Sequence, residues 1–248
     1  MRFAAPSFVI PGTVAENARF LAGRVEEVGL CCFETAGCLA YTEADLPPEL
    51  AALPLCWHVH LPVDLPWQDG AEAAACAALS VFGRVASLSP HVAVLHPPVN
   101  VPPRAAREAL ARFAARWRSG GGAPVLLENI PACQLTELGA DFLAREGLGV
   151  CLDVGHLLGY AQAELLASGL PERAGLVHWS SPGPHPGKDG HLPLTALTER
   201  QRATVLDLLP RLAPTAVHLM EVFDWPGVTA SRRWLEEAAA EAGQAHSR

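Results

Sequence analysis

The chain has 248 residues, half of them hydrophobic and 18% charged, which is ample material for one large core and excludes a disordered or fibrous protein. Its formal net charge of −8 is a poor footprint for gripping a nucleic-acid backbone, and no apolar run stands out as a bilayer span, so neither nucleic acid nor membrane is an expected partner. Seven cysteines, an odd number without a C-x-x-C pair, read as buried thiols in a reducing cytoplasm.

The beginning of the chain reads as a first strand, centred on residues 8–10, better than as a signal peptide. Short apolar runs then recur at 28–33, 55–61, 92–96, 125–128, 149–153, 176–179 and 217–222. Each is nearly all apolar, as a parallel strand buried on both faces should be. Stretches of helical period separate them, clearest at 71–88, 103–118, 136–146, 198–212 and 229–242. No linker divides the chain. Eight such units in about 250 residues is the arithmetic of a single-domain (β/α)8 TIM barrel. A doubly wound open sheet is the alternative, but no G-x-G-x-x-G follows the first strand.

In such a barrel the chemistry gathers at the C-terminal strand ends. The third strand closes with His58 and His60, the fourth with His96, the fifth with Glu128 and Asn129. The sixth gives Asp153 and His156, the seventh His178 and the eighth Glu221, while Asp189-Gly-His191 lies in the loop after the seventh. One imidazole or carboxylate at the end of an apolar strand is often a satisfied structural residue. Six successive strand ends sharing the habit point instead to metal ligation, because burial of such groups is costly unless they are paired or bind a cation. His, Asp and Glu suit zinc foremost, with manganese or iron as alternatives.

The strings HxHLP, HPP, LEN, LDVGH, VHWS, DGH and MEVF, in that order, resemble endonuclease IV and its relatives, the xylose-isomerase-like barrels. The resemblance implies three divalent ions held by His60, His96, Glu128, Asp153, His156, His178, Asp189, His191 and Glu221. It places His60 and His96 on one metal, with Glu128 bridging to a second that Asp153, His178 and Glu221 complete. His156, Asp189 and His191 would hold the third. Glu128 and Glu221 are the expected catalytic carboxylates. Four carboxylates and three dications would leave the site near +2 inside a chain of −8, attractive to a single phosphodiester. Clustered metals activate water for in-line attack, and no G-x-S-x-G elbow offers a protein nucleophile.

Abasic-site DNA cleavage is one activity the resemblance implies, and sugar isomerisation or epimerisation another. A catalytically idle corrinoid- or metal-binding protein is a third possibility. The chain looks shorter than a typical endonuclease IV and has no obvious basic groove segment; its Arg104–Arg118 run reads as the solvated face of an outer helix. The strings HLPxDLPW, VHWSSP and DGHLPL resemble instead the bacterial cobamide-remodelling phosphodiesterases. That resemblance implies hydrolysis of the nucleotide loop of a B12-type corrinoid to cobinamide phosphate and a lower-ligand riboside such as α-ribazole. Trp67 and Trp179, with Trp57 and Trp225 as weaker candidates, are expected to offer flat walls to that substrate, and Lys188 a contact to its phosphate. His58 and His218 read as core histidines, Asn129 as an amide that orients a ligand, and Asp64 as a cap or a substrate contact.

Overall fold

The computed structural model describes residues 1–183, 187 and 190–245. Eight parallel strands close into a barrel in chain order: β1 (Arg2–Pro6), β2 (Glu27–Cys31), β3 (Cys56–His60), β4 (Ala93–Leu95), β5 (Val125–Glu128), β6 (Leu148–Asp153), β7 (Ala174–Trp179) and β8 (Val217–Met220). Helices α1 (Val14–Leu21), α2 (Thr35–Leu39), α3 (Ala71–Val85), α4 (Pro103–Ser119), α5 (Leu135–Leu138) and α6 (Ala140–Glu146) connect the first six strands. Helices α7 (Val154–Gly159) and α8 (Ala163–Ala167) follow β6, α9 (Glu199–Leu208) follows β7, and α10 (Trp225–Ala245) ends the described chain.

The two-residue period of a strand decides which side chains face the barrel axis. In β3, Trp57 and Val59 pack outward against the helices while His58 and His60 point inward. The same parity turns Glu128, Cys151, Asp153 and His178 inward and Trp179, His218 and Met220 outward. Ala4, Val94, Cys151, Leu176, Val217 and Leu219 fill the barrel interior as a cluster separate from the shell between barrel and helices. Gly29 belongs to this interior, because a Cβ there would lie 2.5 Å from His58 Nε2.

Three expectations from the sequence are corrected. The first strand is Arg2–Pro6, not residues 8–10, because the side chain of Asn17 takes up the backbone there: its Oδ1 accepts from Val9 N and Ile10 N at 2.7 and 3.0 Å. The segment Ala71–Leu88 does have the length and mean hydropathy, 1.3, of a membrane span. It is mainly the alanine-rich helix α3, which buries Ala74, Ala75, Ala78, Val81 and Val85. The helix at α1, not picked out among the clearest periods, is fixed by a capping box in which Thr13 and Glu16 satisfy each other's backbone N–H groups.

The base of the barrel holds a charged cluster that the sequence did not disclose. Glu27, at the start of β2, is buried, accepts from His58 Nδ1 at 2.6 Å and His91 Nε2 at 2.8 Å, and pairs ionically with Arg2 Nε at 3.1 Å. Burial pushes its carboxyl up, but the two imidazoles outweigh that and hold it at about 2. His58 is therefore the core histidine expected, and its partner is Glu27.

Candidate metal centre

At the mouth of the barrel the inward-facing strand ends converge on Glu128. His60 Nε2 donates to Glu128 Oε2 at 2.9 Å, while His96 Nε2 and His156 Nδ1 each stand 3.3 Å from Oε1. His178 Nδ1 lies 3.6 Å from Glu128, 3.7 Å from Asp153 and 3.2 Å from Glu221. His191, in the loop after β7, comes to 3.7 Å from Glu221. Of the nine expected ligands, eight meet here; Asp189 lies outside the described residues, as do Lys188 and His185.

The electrostatics call for a cation. Among the described residues, Asp153 Oδ2, His178 Nδ1 and Nε2 and Glu221 Oε2 are buried without a hydrogen-bond partner, although they crowd together at under 4 Å. Burial pushes the Asp153 carboxyl up to about 6. Burial works the same way on Glu128, but the surrounding His96, His178, His156 and His60 hold it well below the usual carboxylate range. Burial lowers His178, yet the negative groups around it carry it well above an ordinary imidazole. Carboxylate oxygens and imidazole nitrogens packed without hydrogen-bond geometry are what a ligand shell looks like, and His/Asp/Glu is a donor set that fits zinc. His60, His96 and Glu128 place one donor atom each within 4.8 Å of one another, as expected for a first metal. His156 stands within the same reach of Glu128 and Asp153, and His178 of His60 and Glu221; the third expected grouping includes Asp189, outside the described residues. Cys151 was read only as a buried thiol, yet its sulfur stands within the same reach of Glu128 and His178.

Residues behind the ligands hold them in place. Asn129 Nδ2 donates to the Asp153 carbonyl at 2.9 Å, and its Oδ1 accepts from Asp153 N at 2.6 Å, clasping that backbone as the sequence anticipated. Gln162, which the sequence did not single out, accepts from Asn129 Nδ2 at 2.8 Å. Asp153 Oδ1 caps α7 through His156 N at 2.5 Å. Gly155 lets this turn approach β7, since a Cβ there would meet Ser180 Oγ at 2.2 Å.

Of the expected tryptophan walls, those at Trp179 and Trp57 are corrected, while Trp67 and Trp225 are half-buried. Trp179 is fully buried on the outer face of β7, stacked on His218 and donating its Nε1–H to His218 Nδ1 at 3.0 Å. Trp67 packs on Phe113 of α4, with ring centroids 5.2 Å apart. Trp57 is buried in the same shell and Trp225 meets Phe20 edge-on. Strand parity turns Trp57 and Trp179 outward, and the other two pack on the helical ring. Asp64 is a cap, accepting from Thr35 N and Oγ1 at 2.8 Å each.

No family model matches the chain, and no curated protein matches it. Solved structures do. A D-tagatose 3-epimerase-like protein superposes with a TM-score of 0.72 at 18% identity, covering 98% of this chain and 99% of that one. What these structures share with the chain is the closed (β/α)8 barrel. The IolI protein with a bound zinc atom matches at 0.71 and 10% identity, over 98% and 99% of the two chains. Endonuclease IV from Thermus thermophilus matches at 0.66 and 22%, over 96% of this chain and 100% of that one. Chain length therefore does not set this barrel apart from that endonuclease IV. At these identities the likeness carries the fold and not the activity.

Proposed function

We propose that the protein is a metal-dependent phosphodiesterase that hydrolyses the nucleotide loop of cobamides. The observation that carries the reading is the convergence of His60 and His96 on Glu128 beside the Asp153–His178–Glu221 group. A sugar isomerase or epimerase uses one or two cations and leaves those two histidines without a task. Divalent cations bound here would supply Lewis acidity toward a phosphoryl oxygen and a water acidified to a pKa near ~7. His60, His96 and Glu128 would hold one, and Asp153, His178 and Glu221 another, with His156 and His191 beside them.

The chain's own groups set the stage for that chemistry. Glu128 remains a carboxylate against burial because four imidazoles face it. Glu221, which burial alone would push up, is likewise held at about 2, first by His178. The two carboxylates flank His178 and fix the negative wall against which a phosphodiester must be neutralised. The substrate's bridging P–O bond to the ribose breaks as water adds to phosphorus, leaving the phosphate on the cobinamide side and a free riboside hydroxyl.

Charge at the mouth disfavours DNA. Among the described residues of the loops that follow the strands, from 7–13 through 221–224, there is no lysine or arginine. A duplex phosphate backbone needs such contacts for affinity. The test is to incubate the metal-reconstituted protein with an adenosylated cobamide under reducing, oxygen-free conditions and weigh the products. Cobinamide phosphate with a free riboside is the expected result. An intact cobamide in a sample with its metals bound refutes the substrate, and conversion of a ketohexose to its epimer would establish the sugar chemistry instead.

A further inference from the structure

The rim around the metal cluster is apolar. Among the described residues, the large hydrophobic side chains that stand exposed are Met1 and six others, Phe33, Val63, Val99, Val101, Leu192 and Phe223, at 37% to 52% exposure. All six lie in segments following β2, β3, β4, β7 or β8, so they gather along the part of the rim that runs from β7 through β1 to β4. Single exposed apolar residues need no explanation, but a set gathered at one opening does. Three of the rim aromatics also touch. Phe8 and Phe33 stack with centroids 6.0 Å apart at 28°, Phe33 meets Phe223 edge-on at 5.7 Å, and Phe223 meets the candidate ligand His191 at 5.1 Å. The aromatic edge is thus continuous with the metal cluster.

The chemistry of this edge selects its occupant. A free sugar presents hydroxyls on every side and would need donors and acceptors that phenyl rings and valines lack. Asp64 is engaged in capping Thr35, and Asp224 accepts from Gly227 N, so these two rim carboxylates are already used. A polyanion would need a row of cations, and the described residues of these loops include no lysine or arginine, with Lys188 of the loop after β7 outside them. What remains is a flat, uncharged body large enough to lie on two rings, joined to a group that reaches the cations.

We propose that Phe33 and Phe223, with Phe8 backing Phe33, form a subsite for the flat apolar body of an amphipathic phosphate ester whose phosphoryl end enters the His60–Glu128–Glu221 pit. This deepens the phosphoesterase reading and rests on it for the phosphoryl end only. The sequence pointed to tryptophans for such a wall; the structure puts phenylalanines there.

The experiment measures equilibrium binding to the zinc-loaded protein of three probes: 1-naphthyl phosphate, methyl phosphate and neutral 1-naphthylmethanol. Naphthyl phosphate should bind at least about tenfold more tightly than methyl phosphate. Phe33→Ala should cut that preference to threefold or less, with zinc content and melting temperature unchanged and methyl phosphate affinity intact. Phe33→Tyr, which keeps the ring, should retain the preference, and Phe8→Ala should show a smaller loss than Phe33→Ala. Equal affinity for the two phosphates, or a preference that survives Phe33→Ala, overturns the subsite while leaving the metal reading standing. Naphthylmethanol binding as tightly as naphthyl phosphate, with both weakened by Phe33→Ala, supports the subsite and removes the phosphoryl group from the pit.

Discussion

His218 reports on acid stability without touching the metal cluster. It sits on the outer face of β8, stacked on Trp179 and accepting that indole's N–H at Nδ1. Burial, with the nearby amino terminus adding repulsion, lowers its pKa from 6.5 to about 4. A histidine whose folded pKa is depressed favours folding fully above its unfolded value, and that contribution drains away as pH falls from 6.5 toward 4. A fall of that size corresponds to roughly 3 kcal/mol by the bottom of the window. For a domain of this size that is roughly 6–12 °C of melting temperature. His218→Gln can keep an acceptor for Trp179 while removing the titration. The assay is melting temperature against pH from 7.5 to 4 for both proteins at matched zinc. The expected result is a wild type that falls more steeply than the variant between 6.5 and 4, the gap narrowing or reversing at the acid end. Parallel curves would show that His218 is not held neutral by its surroundings, and the argument would fail.

Further outcomes follow from the same geometry. Glu128→Ala and His60→Ala should each stay folded and lose at least one metal per chain by elemental analysis, since Glu128 faces four imidazoles; unchanged metal content in both would remove the cluster. Asn129→Ala breaks both links to the Asp153 backbone and should weaken zinc binding by about 10–100-fold, measured by competition with a chelator. Gly155→Ala drives a methyl into Ser180 Oγ and should cost about 1–3 kcal/mol in denaturant unfolding, most of it restored in the double variant with Ser180→Ala, where the nearest Ser180 atom left is Cβ at 3.6 Å. Abasic duplex DNA should show negligible affinity at moderate salt; a tight binding curve falling steeply with salt would revive a repair role.

Much of the barrel and of the candidate site was legible because both follow from local rules. A strand buried on both faces is written as an apolar run, and a ligand at its end is a polar residue where none should be. That logic located His60, His96, Glu128, Asp153, His178 and Glu221 from their positions alone, and Asp153 and Glu221 are the ones left with unpaired buried oxygens. The misreadings share a different cause: each depends on which partner a side chain finds across the fold. Glu27 follows Arg24 and Glu26 and reads as solvated surface; only the closure of the barrel brings His58 and His91 to it. Trp179 does stand at the C-terminal end of its strand while Trp57 is the second residue of β3, and parity turns both to the helices, one residue from the inward-facing His58 and His178. Phe33 and Phe223 stand two residues past inward-facing Cys31 and Glu221, on loops where parity no longer holds, so periodicity gave no signal for them. A wall of phenylalanines contributed by loops adjacent in space but not in sequence, after β1, β2 and β8, becomes visible only when those strands are seen to be neighbours. The candidate metal site is therefore written in the strands, and the apolar rim around it in the loops.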